Sequence, residues 1–319
     1  SVLAVETLIG DAGTDIVSLA DTGSTLAVAL LETLTAGAGT DVVGFVAARN
    51  TTLSVTAVET LIGGSGSDTA ILASTGNTVT VSLIESLAGG AGTDIAAVAA
   101  GSTFALSLFE TVTGSGGIDA ILGTGTAGTT LSVLAVETLI GDAGTDIVSL
   151  ADSSATVVVA MLETLTAGSG THVLRLTTLG GTLALSGVET LIGNSGSDSV
   201  TLTDFGSTVS IRLMETLTAG SGLDVVAFTA SGGTTAISLV ETLVGASGLD
   251  VAVLSSNGNS LTFTAVESLI GSGSGVAELT VGAAASFSIA QIETLIGSAG
   301  TTVVTTTGTH GTTLLVSAV

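Results

Sequence analysis

Lysine, cysteine, proline, tryptophan and tyrosine are all missing from this 319-residue chain, and aromatic side chains make up only 2% of it. Without cysteine, the redox compartment cannot be read from disulfides. Arg49, Arg175 and Arg212 are the only strong cations against 27 acidic residues, a formal net charge of -24. Such a chain cannot neutralise phosphates and is repelled by anionic headgroups, which argues against nucleic acid and membrane surfaces as partners. Most carboxylates are left without an internal ion-pair partner, so cations from solution become their natural counter-charge. Long apolar runs are missing as well. Mean hydropathy is +0.82, yet Gly, Thr, Ser or Asp interrupts every run before the roughly 18 residues that a spanning helix needs. No membrane insertion is expected. Nor does a charged segment followed by an apolar one suggest a signal peptide within these residues.

What is abundant is Gly, Val, Leu, Ile and Ala, arranged in a repeat. An apolar residue, Glu, Thr or Ser, then Leu or Val is centred on Glu6, Glu32, Glu59, Glu85, Glu110, Glu137, Glu163, Glu189, Glu215, Glu241, Glu267 and Glu293, at intervals of 25 to 27 residues. Seven residues after the Glu stands a Gly in eleven of the twelve units, Ser274 being the exception. Nine residues after it stands an Asp in nine units: Asp15, Asp41, Asp68, Asp94, Asp119, Asp146, Asp198, Asp224 and Asp250. His172, Val276 and Thr302 take that place in the other three. A longer repeat overlies this one, because residues 1–21 recur unchanged as residues 132–152, as if five units (1–131, then 132 onward) had been copied as a block. A stack in which each coil touches only its neighbours tolerates such copying.

Within a unit the alternation has a period of two, which means strand. Val17 and Leu19 share a face, as do Val43 and Phe45; Val79, Val81 and Leu83 alternate with Thr80 and Ser82. The Glu-centred segment forms a third short strand or corner, and Gly-rich stretches mark the turns. Three short strands in about 26 residues cannot bury a core alone, but they can form one rung of a solenoid. The expected fold is all-β: a parallel β-solenoid of about twelve rungs with three strands each. It is expected to run as a single continuous solenoid over residues 1–319. An array of β-sandwiches would need about a hundred residues per unit.

Such stacking would set the Glu residues in a ladder at ~4.8 Å, each neighbouring pair repelling by about 3.5 kcal/mol at an effective dielectric near 20. Relief can come from cations, raised pKa values or N–H groups of the adjacent turn. The Glu is read as a corner carboxylate accepting hydrogen bonds from its turn. The Asp shares strand parity with the core residue two positions later, so it turns inward, where an unpaired charge is expensive. Two readings of it stay open: an ion ligand, or a cap bonded to local N–H groups.

"GGSGSDTAI" at 63–71 and "GGAGTDIAA" at 89–97 fit G-G-x-G-x-D-x-apolar-x, and near matches are "GDAGTD" at 10 and 141, "AGAGTD" at 36, "GNSGSD" at 193, "AGSGLD" at 219 and "GASGLD" at 245. These turns resemble the calcium-binding nonapeptide of the hemolysin-type (RTX) repeat family, over about nine residues of each unit. The resemblance implies Ca²⁺ held by the nine Asp carboxylates and by carbonyls of the Gly-rich turns, consistent with calcium's preference for hard oxygen ligands. It also implies a bacterial extracellular or cell-surface location. Family members carry the nonapeptide in tandem, whereas here it occurs once per unit, so at most one ion column is expected.

Regular repetition with no unique constellation argues against an enzyme; His172 and His310 fall in different rungs. A structural role fits better. Outward positions such as Ala27, Ala29, Thr80, Ser82, Ala105, Ser107, Ala184 and Ser186 are small and uncharged, suited to lateral packing with copies of the same chain. The first and last residues resemble ordinary rungs rather than caps, so the chain is expected to be a window of a longer array. The expected function is a self-assembling filament, sheath or surface-layer component. The alternatives are the stalk of a large secreted adhesin and a ligand- or ice-binding Thr face, with T-x-T pairs at Thr33 and Thr35, Thr111 and Thr113, Thr164 and Thr166, and Thr216 and Thr218. Asn50 begins a lone glycosylation-type N-T-T.

Overall fold

The computed structural model describes residues 6–19, 23–46, 51–73, 76–99, 103–123, 130–177, 182–229, 234–255, 260–271, 278–281, 286–290, 294–297, 303–306 and 315–318. Arg49, Asn50, Ser274, Val276, Glu293, Thr302 and His310 lie outside them. Every described element is a β-strand of three to five residues, and strands pair in parallel, as a parallel β-solenoid requires.

The path of the coil differs from the expectation. Successive strands alternate between two sheets, so a turn holds two strands, not three. Thr52–Thr56 pairs with Thr69–Leu72, which pairs with Ser86–Ala88. The intervening Thr60–Ile62 lies in the other sheet, between Val42–Phe45 and Thr78–Ser82. A turn therefore takes mostly 17 to 20 residues, as in Thr52↔Thr69 and Thr60↔Thr80, and not the predicted 26. The Glu segment is a full strand rather than a corner. Each of the three strand types has one buried face, as in Thr60–Ile62, Thr69–Leu72 and Thr78–Ser82. Any strand can therefore take its place in either sheet.

The chain divides into two compact units, Ser1–Leu162 and Glu163–Val319. Within each, both sheets repeat one order: a Glu-led strand, a long five-residue strand, then an Asp-led strand. Three strands per sequence unit and two per turn bring the pattern back only after two units and three turns.

Inner faces carry the core. In the first unit Leu53, Ala70, Leu87 and Leu106 stack in register and are at most 3% exposed. In the second, Val209, Val226, Leu243 and Phe263 do the same. Burying one such large side chain stabilises by about 1.5–3 kcal/mol. The long strand is paired off-centre: Leu106 lies on Leu87 through its C-terminal half, while Thr103 meets Ala120 through its N-terminal half. Side-chain columns thus step sideways at each long strand, and no outer column follows a sheet from end to end.

Candidate functional site

At ten described positions the chain reverses two residues before the Glu of a Glu-led strand, through a residue with positive φ. Leu30, Leu83, Leu108, Met161, Leu213 and Leu239 take φ between 52° and 58°, as do Ala57, Ala135 and Ala265, while Gly187 has φ 69°. An L side chain in this region costs roughly 1–2 kcal/mol. The next turn's packing enforces it: the Leu83 carbonyl rests on Gly63, where any Cβ would overlap it, and the same approach recurs at Gly10, Gly89, Gly141 and Gly193.

Asp and Glu of consecutive units meet across this reversal. The Asp68 N–H donates to Glu85 Oε2 at 2.7 Å, and the Asp68 carbonyl accepts the N–H groups of Glu85 and Ser86 at 3.1 and 3.0 Å. The same N–H-to-carboxylate clamp joins Asp15 to Glu32, Asp41 to Glu59, Asp94 to Glu110 and Asp119 to Glu137. It joins His172 to Glu189, Asp198 to Glu215, Asp224 to Glu241 and Asp250 to Glu267. The Glu therefore accepts from the preceding unit's Asp, not from its own turn. It forms no 4.8 Å ladder, because the two-strand turn sets successive Glu residues along one edge three strands apart. At about 14 Å the pair repulsion falls to roughly 1.2 kcal/mol before screening, beyond the ~8–10 Å Debye length.

The Asp carboxylates are held by backbone donors. Asp68 takes the Gly64 N–H of its own turn on Oδ2 at 2.8 Å and the Thr51 N–H of the turn below on Oδ1 at 3.2 Å. Asp94 takes Gly90 and Asn77 likewise. Own-turn donors reach Asp15 from Asp11, Asp119 from Ser115, Asp146 from Asp142, Asp198 from Asn194 and Asp250 from Ala246. All but the half-buried Asp15 are buried. The nine do not form one column: in the first unit Asp15, Asp68 and Asp119 lie on one edge and Asp41, Asp94 and Asp146 on the other; in the second, Asp224 lies opposite Asp198 and Asp250. Among the described residues no three His, Asp or Glu side chains converge as a metal group.

Three turns depart from this scheme, and one substitution accompanies all three. Ala36, Ala167 and Ala219, all buried, stand where the other described turns have the close-contact glycine. In two of these turns Asp41 and Asp224 keep one donor, Ser24 and Ser207, while their Oδ2 atoms are buried with no partner. In the third, His172 replaces the Asp, is 1% exposed, and both its ring nitrogens lack partners. The Asp250 Oδ1 is also unpartnered.

Two further turn carboxylates were not singled out in the sequence. Asp152 accepts the Ala135 N–H on both oxygens, and Asp204 accepts the Gly187 N–H at 2.7 Å. Each pins a positive-φ reversal one turn below. Their signal was available: each lies six residues after an Asp of the repeat, Asp146 and Asp198. No family model, curated protein or solved structure matches the chain.

Proposed function

We propose that the chain is a structural repeat protein that assembles with copies of itself into a filament, sheath or surface layer outside the cell. The supporting observation is where charge is absent. In the first unit, the outward positions of the described strands carry only Thr, Ser, Ala, Gly, Val, Ile and Leu, including Ile9, Ile16, Ile62 and Ile71 at 39–70% exposure. The described carboxylates of that unit are confined to the turns. Flat neutral faces can be buried without desolvating a charge, whereas the acidic edges repel one another and so direct contact toward the faces. The extracellular setting rests on the likeness of the Gly-Asp turns to RTX repeats. Calcium is kept as an auxiliary part of this reading, with the nine Asp carboxylates as its candidate ligands, of which Asp41, Asp224 and Asp250 each keep one oxygen without a hydrogen-bond partner. The test is electron microscopy and light scattering of the purified chain across a concentration series. Laterally associated particles are expected; a monodisperse monomer at every concentration refutes the reading.

A further inference from the structure

Arg175 and Arg212 are the only arginines among the described residues of a chain with net charge -24. Both are exposed, and among the described residues neither makes an ion pair or hydrogen bond through its side chain. They are not scattered. Val173–Leu176, Thr190–Ile192 and Thr208–Arg212 are adjacent strands of one sheet, with Arg175 opposite Ile192 and Ile192 opposite Arg212. The two guanidinium groups therefore project from one outward column, two strand spacings or about 10 Å apart. The parallel column beside them is uncharged: Val173, Thr190, Ser210, Ala227 and Val244.

Resting on the assembly reading above, we propose that this face docks on the acidic edge of a second copy, with Asp204 and Glu241 as acceptors. Asp204 lies in the turn before Thr208–Arg212, and Glu241 in the turn before Thr242–Val244, two turns further along the same edge. Measured along the solenoid, the two turns are thus also about 10 Å apart. Each uses one oxygen within the chain, Asp204 for the Gly187 N–H and Glu241 for the Asp224 N–H. A second copy is the partner that supplies both complements, because its acidic edge offers the opposite charge at the same turn spacing as the arginine column. A face meeting an edge is a heterologous contact. The first molecule keeps a free edge and the second a free face, which gives an open array or a ring rather than a two-fold dimer.

The test is sedimentation velocity of the full chain at about 20 mM and about 1 M salt, which differ several-fold in screening length. Wild type is expected to associate at low salt and dissociate at high salt. The double variant Arg175→Glu with Arg212→Glu should lose about a hundredfold in association constant. Asp204→Asn with Glu241→Gln keeps both hydrogen-bond acceptors and the fold, checked by circular dichroism, and should lose a similar amount. If wild type associates and the arginine variant does so equally, the docking proposal is overturned while the assembly reading stands. If the arginine variant fails but the Asn/Gln variant associates normally, the acidic edge is not the acceptor and the proposal is overturned. If wild type never associates, both fall.

Discussion

Replacing Gly63 by alanine tests how the Asp turn is held. A Cβ there would overlap the Leu83 carbonyl and lie 3.2 Å from Asp68 Oδ2. A purely steric account predicts severe damage, yet Ala36, Ala167 and Ala219 occupy the corresponding place in other units and are buried there. The turn has a second arrangement, and what it forfeits is visible at Asp41 and Asp224, whose Oδ2 atoms have no partner. Gly63→Ala should thus break the bond from the Gly64 N–H to Asp68 Oδ2. A hydrogen bond to a charged group contributes about 1.5–3 kcal/mol, and replacing Gly by Ala returns about 0.4–1 kcal/mol through the unfolded chain. The net cost is about 1–2 kcal/mol. Native-state hydrogen exchange reads it directly: the Gly64 amide should exchange roughly tenfold faster or more. The reverse change, Ala219→Gly, should let the Gly220 N–H reach Asp224 Oδ2 and stabilise that turn by about 1 kcal/mol. A loss above about 4 kcal/mol for Gly63→Ala would mark an overlap that the turn cannot relieve. A destabilising Ala219→Gly would equally refute the hydrogen-bond account.

At the reversals, Leu83→Gly should be near neutral, since relief of the positive φ is offset by about 0.5–1 kcal/mol of Gly entropy. Leu83→Ile should cost about 1 kcal/mol or more, because β-branched residues tolerate this region poorly; equal effects in urea titrations would show that φ is not limiting. Glu85→Gln keeps an acceptor for the Asp68 N–H and should cost less than Glu85→Ala, which strands a buried donor at about 1–3 kcal/mol; thermal melts that rank them the other way would count against the clamp. Gly123 lies opposite Leu106 and lines a small apolar cavity with Ile121, Leu131 and Leu139. Gly123→Ala should raise stability by about 0.4–1 kcal/mol, and a lower melting temperature would refute that packing. A chelator should leave the far-UV β signal intact, because backbone N–H groups cap the Asp turns; unfolding in chelator would show calcium to be integral to the fold.

Period-two alternation and the Glu-to-Asp spacing were enough to read strands, parallel stacking and an inward Asp. The number of strands per turn was not legible. That number depends on where the chain reverses, and the reversals fall on Leu, Met and Ala at positive φ, residues that carry no turn signal of their own. Three strands per turn were therefore inferred, with the Glu segment as a strand or corner, where two strands fill a turn and Thr60–Ile62 is one of them. The Glu ladder followed from that miscount. The partner of the Asp N–H was equally hidden, because Glu85 lies 17 residues from Asp68 and in the next sequence unit. The Ala-for-Gly exchange at 36, 167 and 219 is plain in the sequence, but only the close approach of the carbonyl above gives it meaning.

Because three strands per sequence unit are wound onto two sheets, the molecule has a parity. The duplicated block contains five units, an odd number, so the parts described in both of the identical segments, 6–19 and 137–150, emerge on opposite sides: Thr7–Ile9 lies in one sheet of the first unit and Thr138–Ile140 in the other. Gain or loss of a single 26-residue unit would turn every later strand over to the opposite face, whereas gain or loss of two would leave both faces as they were. In the assembly proposed above, repeat number would set which side is presented as well as how far the array extends.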